Sequence, residues 1–323
     1  MPCLKTSARL VTSTLCCLLL TGCLPGGDAP ESTATVANQG VYSATFSQDG
    51  QWLMVGSIHN GGSLWSLWPP ERHFDWNHRE GSNTGVLASA FSADQHFVAS
   101  ADNRTIVLWQ RQTGEAVSFW NTPGDIEDLA LSSDGRYALL AMRDYTATLF
   151  DIQNGGIRQR LQHDGAVFDV DLDGSDQLAA SASDDLTARI WQLETGKELL
   201  RLAHGNQVRT VSLSRDGRWL FSSALRETGK LWEVSSGQLQ IELPKPAGYY
   251  ACARFSADGS QLLTGSSDGL VSLWHTTDGT LLRQWRITGN SVWNQPRVLV
   301  EDVAFGSSHY LAVGTNGQVY QLQ

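Results

Sequence analysis

Seven copies of a short apolar alternation, such as VRTVSL and VEDVAF, recur along this 323-residue chain. Their final residues stand 45, 40, 41, 41, 42 and 50 positions apart and are Phe46, Phe91, Leu131, Leu172, Leu213, Phe255 and Phe305. A fixed period of this length indicates one supersecondary unit copied side by side, in which neighbours bury the apolar face that a single copy would leave exposed. The repeat therefore decides the fold.

Each copy predicts four short antiparallel strands. After the first strand, turns such as SRDG and SADG supply the aspartate hydrogen bonds and the positive φ that tight hairpins need. A second strand such as QLLTGSS follows. The third strand ends in Trp65, Trp109, Phe150, Trp191, Trp232 or Trp274, and in Tyr320 or Leu322 in the last copy. A turn such as TGK or DGT then leads into the fourth strand. The 31 glycines and 12 tryptophans agree with an all-β chain.

This pattern resembles the WD-repeat β-propeller family over about nine-tenths of the chain. The resemblance implies a seven-bladed β-propeller of four-stranded antiparallel blades around a central channel, spanning residues 32–323. The seventh copy has three strands, and the segment STATVANQ, residues 32–39, is predicted to be its fourth, which closes the ring. The aspartate that follows the family's tryptophan is kept only as Asp151, after Phe150.

One group of polar residues has two interpretations, a hydrolytic triad or a structural set. The WD-repeat family carries a hydrogen-bonded tetrad, and the resemblance assigns its four positions to His163, Ser181, Asp185 and Trp191. Parts of the set recur in other copies: His204, Ser222 and Trp232, with Arg226 at the aspartate position, and also Asp144 and Asp268. A catalytic triad would occur once. The recurrence therefore favours the structural set, and no catalytic residue is predicted.

A run of carboxylates in DVDLDGSD, Asp169–Asp176, imitates the start of a calcium loop. Ala180 stands where the twelfth position requires a bidentate glutamate, and Asp169 and Asp171 belong to a strand, so we expect no metal site. The sequence has no phosphate loop, no zinc-spaced cysteine and histidine set and no nucleophile elbow. We therefore predict no cofactor and no enzymatic activity.

The N-terminal sequence is typical of an export signal. Lys5 and Arg9 precede an apolar run of eleven residues, Leu10–Leu20, which is too short to span a bilayer and leads into LTGC. Leu20 to Cys23 resembles the lipobox of bacterial lipoproteins. The resemblance implies a signal peptide over residues 1–22 and a lipid on Cys23. An ordinary secretory signal with an incidental cysteine remains the alternative.

The residues after Cys23 predict which membrane holds the lipid and how the propeller is linked to it. Leu24 stands where the lipoprotein resemblance expects aspartate for inner-membrane retention, which implies the periplasmic face of the outer membrane. Residues 23–31 are predicted to form a flexible tether, because the sequence LPGGDAPES that begins at Leu24 has the glycine, proline and polar content of one. Cys252 lies in an apolar strand pattern and is interpreted as core. The net charge of −10 argues against nucleic acid as a partner.

The favoured function is a monomeric, non-enzymatic platform that binds other envelope proteins and takes part in their assembly. In WD-repeat proteins the partner usually meets the loops from strand four to strand one and from strand two to strand three. Mapped here, those loops contain Tyr42, His59, Leu87, Asp102, Glu127, Arg143, Phe168, Asp184, Arg209, Tyr249 and Trp293. Trp293 lies in a lengthened connection, so it is either a binding anchor or a loop anchor. The alternatives are a hydrolase or lyase site, or a ligand or cation site, at the channel mouth.

Overall fold

The protein is a closed ring of seven four-stranded antiparallel sheets. A computed structural model describes residues 27–38, 40–57, 61–78, 85–289 and 298–323, and this part of the chain forms 28 strands and no helix. It accordingly contains no helix that is long and apolar enough to cross a membrane. The predicted seven-bladed propeller is confirmed.

Each blade consists of four strands; the strands are numbered in chain order, and the blades are numbered from the first repeat. Blades 1 to 3 are β2 (Val41–Phe46), β3 (Trp52–Ser57), β4 (Gly61–Ser66), β5 (Glu71–Trp76); β6 (Ala88–Phe91), β7 (Phe97–Ala101), β8 (Thr105–Gln110), β9 (Ala116–Asn121); β10 (Ile126–Leu131), β11 (Tyr137–Met142), β12 (Thr146–Asp151), β13 (Ile157–Gln162). Blades 4 and 5 are β14 (Val167–Leu172), β15 (Leu178–Ser183), β16 (Thr187–Gln192), β17 (Lys197–Ala203); β18 (Val208–Leu213), β19 (Trp219–Ala224), β20 (Gly229–Glu233), β21 (Gln238–Leu243). Blade 6 is β22 (Tyr250–Phe255), β23 (Gln261–Ser266), β24 (Leu270–His275), β25 (Leu281–Arg286), and blade 7 is β26 (Val300–Phe305), β27 (Tyr310–Gly314), β28 (Gln318–Leu322) with β1 (Ser32–Thr35).

The ring closes where the sequence predicted. β1 pairs antiparallel with β28, with Ser32 opposite Gln321 and Thr35 opposite Gln318. The strand is shorter than the predicted segment 32–39, because the backbone of Val36 and Ala37 turns to hydrogen-bond to Gly317. Blade 7 is therefore built from both ends of the described chain.

Residues 27–31 do not behave as part of a flexible tether. The N–H of Asp28 donates to the carbonyl of Gln284 at 2.8 Å, and the N–H of Glu31 donates to the carbonyl of Gln321 at 2.9 Å. These bonds hold the segment against the outer strand of blade 6 and the third strand of blade 7. The predicted tether is thus shortened on its C-terminal side.

The core lies between the blades. Each apolar cluster joins two neighbouring sheets, as where Leu139 and Leu149 of blade 3 pack with Val170 and Trp191 of blade 4. The aromatic residue predicted at the end of the third strand is the penultimate residue of that strand in six blades. In blade 7 the pairing register places Leu322 at this position, and not Tyr320. Burying one large side chain per blade stabilises the ring by about 1.5–3 kcal/mol each.

Candidate functional site

A recurring bulge shapes the end of the ring where the predicted contact loops lie. In six blades the pairing of the innermost strand with its neighbour skips one residue near the start of that strand. The skipped residues are Tyr42, Glu127, Phe168, Arg209, Ala251 and Glu301. A bulge re-aims its side chain. The bulged residues stand where the loops meet the mouth of the channel, and we call this end of the ring the loop face.

The structure brings several predicted contact residues together on the loop face. The guanidinium carbon of Arg209 lies 3.9 Å from the centre of the Phe168 ring, so blades 4 and 5 share a cation–π contact. Glu127 and Arg143 of blade 3 form an ion pair. Tyr42 is 49% exposed and is the most open of the bulged aromatic residues.

Several other residues predicted to contact a partner are bonded within their own turn, partly buried or outside the described residues. The carboxylate of Asp102 accepts the N–H groups of Arg104 and Thr105 at 2.9 and 2.7 Å, so it mainly shapes its own turn. Leu87, Asp184 and Tyr249 are partly buried, and burial raises the pKa of the Tyr249 hydroxyl. His59 and Trp293, like the lipidation candidate Cys23, lie outside the described residues.

Two exposed apolar residues of the loop face were missed by the sequence analysis. Tyr145 of blade 3 and Leu186 of blade 4 occupy the turn between the second and third strands, with φ of 71° and 66°. Gly269 and Gly317 hold the equivalent positions in blades 6 and 7. A left-handed conformation costs a residue with a side chain about 1–2 kcal/mol. Both side chains are nevertheless open to solvent, at 51% and 43% exposure.

Beneath the loop face, blade 4 contains a chain of four hydrogen-bonded side chains. The indole N–H of Trp191 donates to Ser181 Oγ at 2.8 Å, and Ser181 Oγ lies 2.7 Å from His163 Nε2. His163 Nδ1 lies 2.8 Å from Asp185 Oδ2. Burial lowers the pKa of His163, so the ring is neutral, donates from Nδ1 and accepts at Nε2. Every polar atom in the chain then has a partner.

Asp185 is the centre of this network, and its buried cationic partner was not predicted from the sequence. Arg189, whose side chain is 3% exposed, donates to Asp185 Oδ2 at 2.6 Å. Burial opposes ionisation of Asp185, but hydrogen bonds from His163, Thr187 and the N–H of Asp164 outweigh it and lower its pKa. The carboxylate is therefore held ionised between a neutral histidine and a buried arginine.

The same chain occurs in two other blades. In blade 5, Trp232 and His204 both hydrogen-bond to Ser222, and His204 Nδ1 lies 3.1 Å from a carboxylate oxygen of Glu227. The regular spacing predicts Arg226 at the acidic position, but the acidic residue is Glu227, one place later. Burial lowers the pKa of His204 to about 4.

Blade 2 supplies the third copy. Its members are His78, Ser100, Thr105 and Trp109, with Asp102 Oδ2 at 3.5 Å from His78. Sequence spacing hid it, because His78 precedes its serine by 22 residues, whereas the histidine precedes it by 18 in blades 4 and 5.

The geometry of these sets fits a structural role. Ser181 is completely buried, and its hydroxyl is used by both His163 and Trp191. A nucleophile must reach its substrate. The sets instead tie the connection before the first strand to the turn after the second, and so fix the loops of the face above them.

Comparison with protein-family models matched the chain to "WD domain, G-beta repeat" over residues 31–66, 76–110, 156–192, 196–233 and 242–275. These segments cover more than half of the chain. The chain belongs to the WD-repeat family. Propellers of this family generally mediate protein–protein interactions and are typically non-enzymatic scaffolds. No curated protein matched the sequence.

The WD-repeat ring is also joined around the channel by side chains of the innermost strands. The inner edge of each blade has no strand beside it, so its backbone groups need other partners. Hydroxyls donate to a carbonyl of the next blade, as Thr210 does to Tyr250 at 2.7 Å. Carboxylates accept an N–H instead, as Asp302 does from Phe46 at 2.8 Å. A hydroxyl on the innermost strand therefore binds a carbonyl of the next blade, and a carboxylate binds an N–H.

Several of these carboxyl groups are deeply buried. Burial raises the pKa of Asp171 to about 6 and that of Glu301 to about 7. Burial also raises the pKa of Asp128 and, more strongly, that of Asp169, and the two carboxyl groups share a hydrogen bond. The raised pKa favours the protonated form of Asp169, whose hydroxyl can donate to Asp128. Within the described ranges, no three acidic, histidine or cysteine side chains form a group that could hold a metal ion.

Asp169→Asn is expected to raise the melting temperature at about pH 8 and to leave it unchanged at about pH 4. Asparagine can still donate to Asp128 and accept the N–H of Val211, which lies 2.8 Å from the aspartate oxygen. The pKa of Asp169 is higher in the folded protein than in the unfolded chain. Protonation of Asp169 therefore stabilises the fold fully at pH values below the pKa of the unfolded chain, and this stabilisation is lost as the pH rises through the pKa of the folded protein. Thermal melts across this pH range test the prediction.

The control for this prediction is Asp258→Asn, in an exposed hairpin turn whose hydrogen bonds lower the pKa of Asp258 to about 2. Relative to the wild type at the same pH, this variant should not become more stable as the pH rises. Parallel curves for Asp169→Asn and the wild type at every pH would contradict a protonated, buried Asp169.

Proposed function

We propose that this WD-repeat propeller is a monomeric protein-interaction scaffold that is lipid-anchored at Cys23 to the periplasmic face of a bacterial outer membrane. Its partners are other proteins of the cell envelope, and the process it assists is their assembly. The partner binds the loop face. The observation that carries the proposal is the pair Tyr145 and Leu186, which are apolar, exposed and held in a costly backbone conformation.

The surroundings of this pair suit a protein interface. Glu127 and Arg143 lie in blade 3 with Tyr145, and Phe168 and Arg209 stack on the next two blades. Aromatic and arginine side chains are enriched at protein interfaces and dominate their energetics. The hydrogen-bonded sets in blades 2, 4 and 5 keep this face rigid, which lowers the entropy lost on binding.

Replacing the strained pair should separate binding from stability. Tyr145→Gly and Leu186→Gly are each expected to leave the free energy of unfolding unchanged or raise it by up to about 1 kcal/mol, because glycine adopts positive φ without steric cost. The double variant should weaken partner capture at least about tenfold, which corresponds to about 1.4 kcal/mol. The measurements are thermal melts and crosslinking capture from native membranes.

Val117→Gly is the matched control, because Val117 is equally exposed but lies on the outer strand of blade 2. It should not change capture. If the double glycine variant captured every partner as the wild type does, the loop face would not be the binding surface.

The anchor is supported by the sequence LTGC after a charged start and a short apolar run. Cys23→Ser is expected to release the protein from the membrane or to leave it uncleaved. Each buried methylene of an acyl chain contributes about 0.8 kcal/mol, so two chains hold a protein firmly and their loss is not compensated elsewhere. Fractionation after a salt wash tests this, with Cys252→Ser as the control because Cys252 is a strand residue facing blade 7.

The result against the anchor would be equal retention of Cys23→Ser and wild type in the outer-membrane fraction. If the wild type were found in the inner-membrane fraction, the lipid anchor would still be supported, but the assignment to the outer membrane, which rests on Leu24, would be overturned.

A further inference from the structure

The chain enters the propeller along the outer edge of blade 6. Asp28 forms a parallel bridge with Trp285 of β25, where its N–H donates to Gln284 and its carbonyl accepts the N–H of Arg286 at 3.0 Å. Only after this contact does the chain reach blade 7 as β1. The described chain therefore begins on the rim of the ring, and on neither of its faces.

Gly27 fixes how closely the chain can approach this edge. A Cβ atom at position 27 would lie 2.6 Å from the carbonyl oxygen of Gln284 and 2.8 Å from the carbonyl carbon of Trp285. Both are backbone atoms of β25, so neither can move aside cheaply. Glycine is required for this docked arrangement, and a larger residue would displace the segment from blade 6.

The distance from the anchor to the docking point is short. Three residues, Leu24, Pro25 and Gly26, separate Cys23 from Gly27. Four steps of an extended chain reach about 14 Å at most. This is well below the roughly 30 Å that a free tether up to residue 31 would allow. A lipid on Cys23 must therefore enter the bilayer close to the rim of blade 6.

The rim at this point exposes two leucines and an arginine at the start of β25, and Asp28 is exposed near the end of the same strand. Leu281 and Leu282 at the start of β25 are 44% and 41% exposed, and Arg283 beside them is also exposed. Leucine side chains gain free energy by entering the acyl boundary, and arginine suits the anionic headgroups above it.

We propose that the outer edge of blade 6 lies against the bilayer surface, with Leu281, Leu282 and Arg283 in contact with lipid. This inference rests on the proposed anchor at Cys23 and adds the orientation of the ring. Because the outer edge of a blade lies on the rim of the ring, contact through that edge sets the channel axis along the membrane plane. The loop face then points sideways into solvent and is open to partners.

The test uses full-length lipidated protein on vesicles of phosphatidylethanolamine and phosphatidylglycerol that contain a nitroxide-labelled lipid as quencher. A fluorophore is attached at Leu282→Cys or, as the matched control, at Val117→Cys. Both positions are the skipped residue of an outer-strand bulge with similar exposure, and Val117 lies across the ring in blade 2. We expect the emission at position 282 to shift to the blue and to be quenched several-fold more than at position 117.

A second variant tests whether the docked segment sets the orientation. Gly27→Val should still float with the vesicles, but its fluorophore at position 282 should lose most of the additional quenching. Equal quenching at positions 282 and 117 in floating wild-type protein would overturn the proposed orientation and leave the anchor intact. Failure of the wild type to float, with Cys23→Ser behaving identically, would overturn the anchor and the orientation with it.

Discussion

Asp185→Ala is expected to lower the free energy of unfolding by about 3 kcal/mol, because it leaves a buried arginine without its closest carboxylate. Arg189 lies 2.6 Å from Asp185 and is almost fully buried. The substitution also removes the acceptor of His163 and so breaks the chain that ends at Trp191. Losing a buried hydrogen-bond partner adds to the cost. Chemical denaturation at neutral pH measures the change.

Asp164→Ala is the matched control for this prediction. Asp164 also approaches Arg189, at 3.4 Å, but its side chain is 81% exposed. An exposed ion pair contributes between zero and about 1 kcal/mol, so this variant should change stability much less. Equal effects of the two substitutions would show that Asp185 is not the centre of the network.

Removing residues 27–38 is expected to open the ring and to cost at least about 3 kcal/mol of stability. The deletion takes away β1 and the buried side chains of Val36 and Ala37. β28 would then present free backbone groups at an edge beside the apolar residues of blade 7, which invites association. Thermal melts and size-exclusion chromatography with light scattering measure both effects.

A synthetic peptide of residues 27–38 should reverse the defect when it is added in trans, since an open edge accepts an added strand. A peptide with the same residues in scrambled order should not. A monomeric deletion variant with the melting curve of the wild type would contradict the closure by β1.

The fold was accessible from sequence because its determinants are local. The first strands end at the predicted residues, the turns carry aspartate and glycine, and the third strands carry their aromatic residue at the predicted place. The set in blade 4 could be predicted for the same reason, since its members keep regular spacing. In blade 2 the longer connection before the first strand shifted the histidine, and in blade 5 the acidic residue moved by one place to Glu227.

The remaining features of the site depend on contacts that no sequence window contains. Asp169 and Asp302 bind backbone N–H groups of the next blade, and the identity of the residue that donates leaves no signal in the sequence. The strain at Tyr145 and Leu186 depends on φ, although the glycines at the equivalent turns of blades 6 and 7 were a usable hint. The buried pair of Asp185 and Arg189 needed the register of β16, because charge alone suggests a solvated residue.

The pairing of β1 with β28 also governs the order in which this chain can fold. Every other pairing among the described strands joins neighbours along the chain, so those hairpins can form as soon as they emerge during synthesis. β1 must wait until β28 has followed it, and a contact of such long sequence separation forms slowly. Until β28 has formed, the ring is therefore an open array of blades in which β1 is unpaired and its backbone groups are free to pair with another strand.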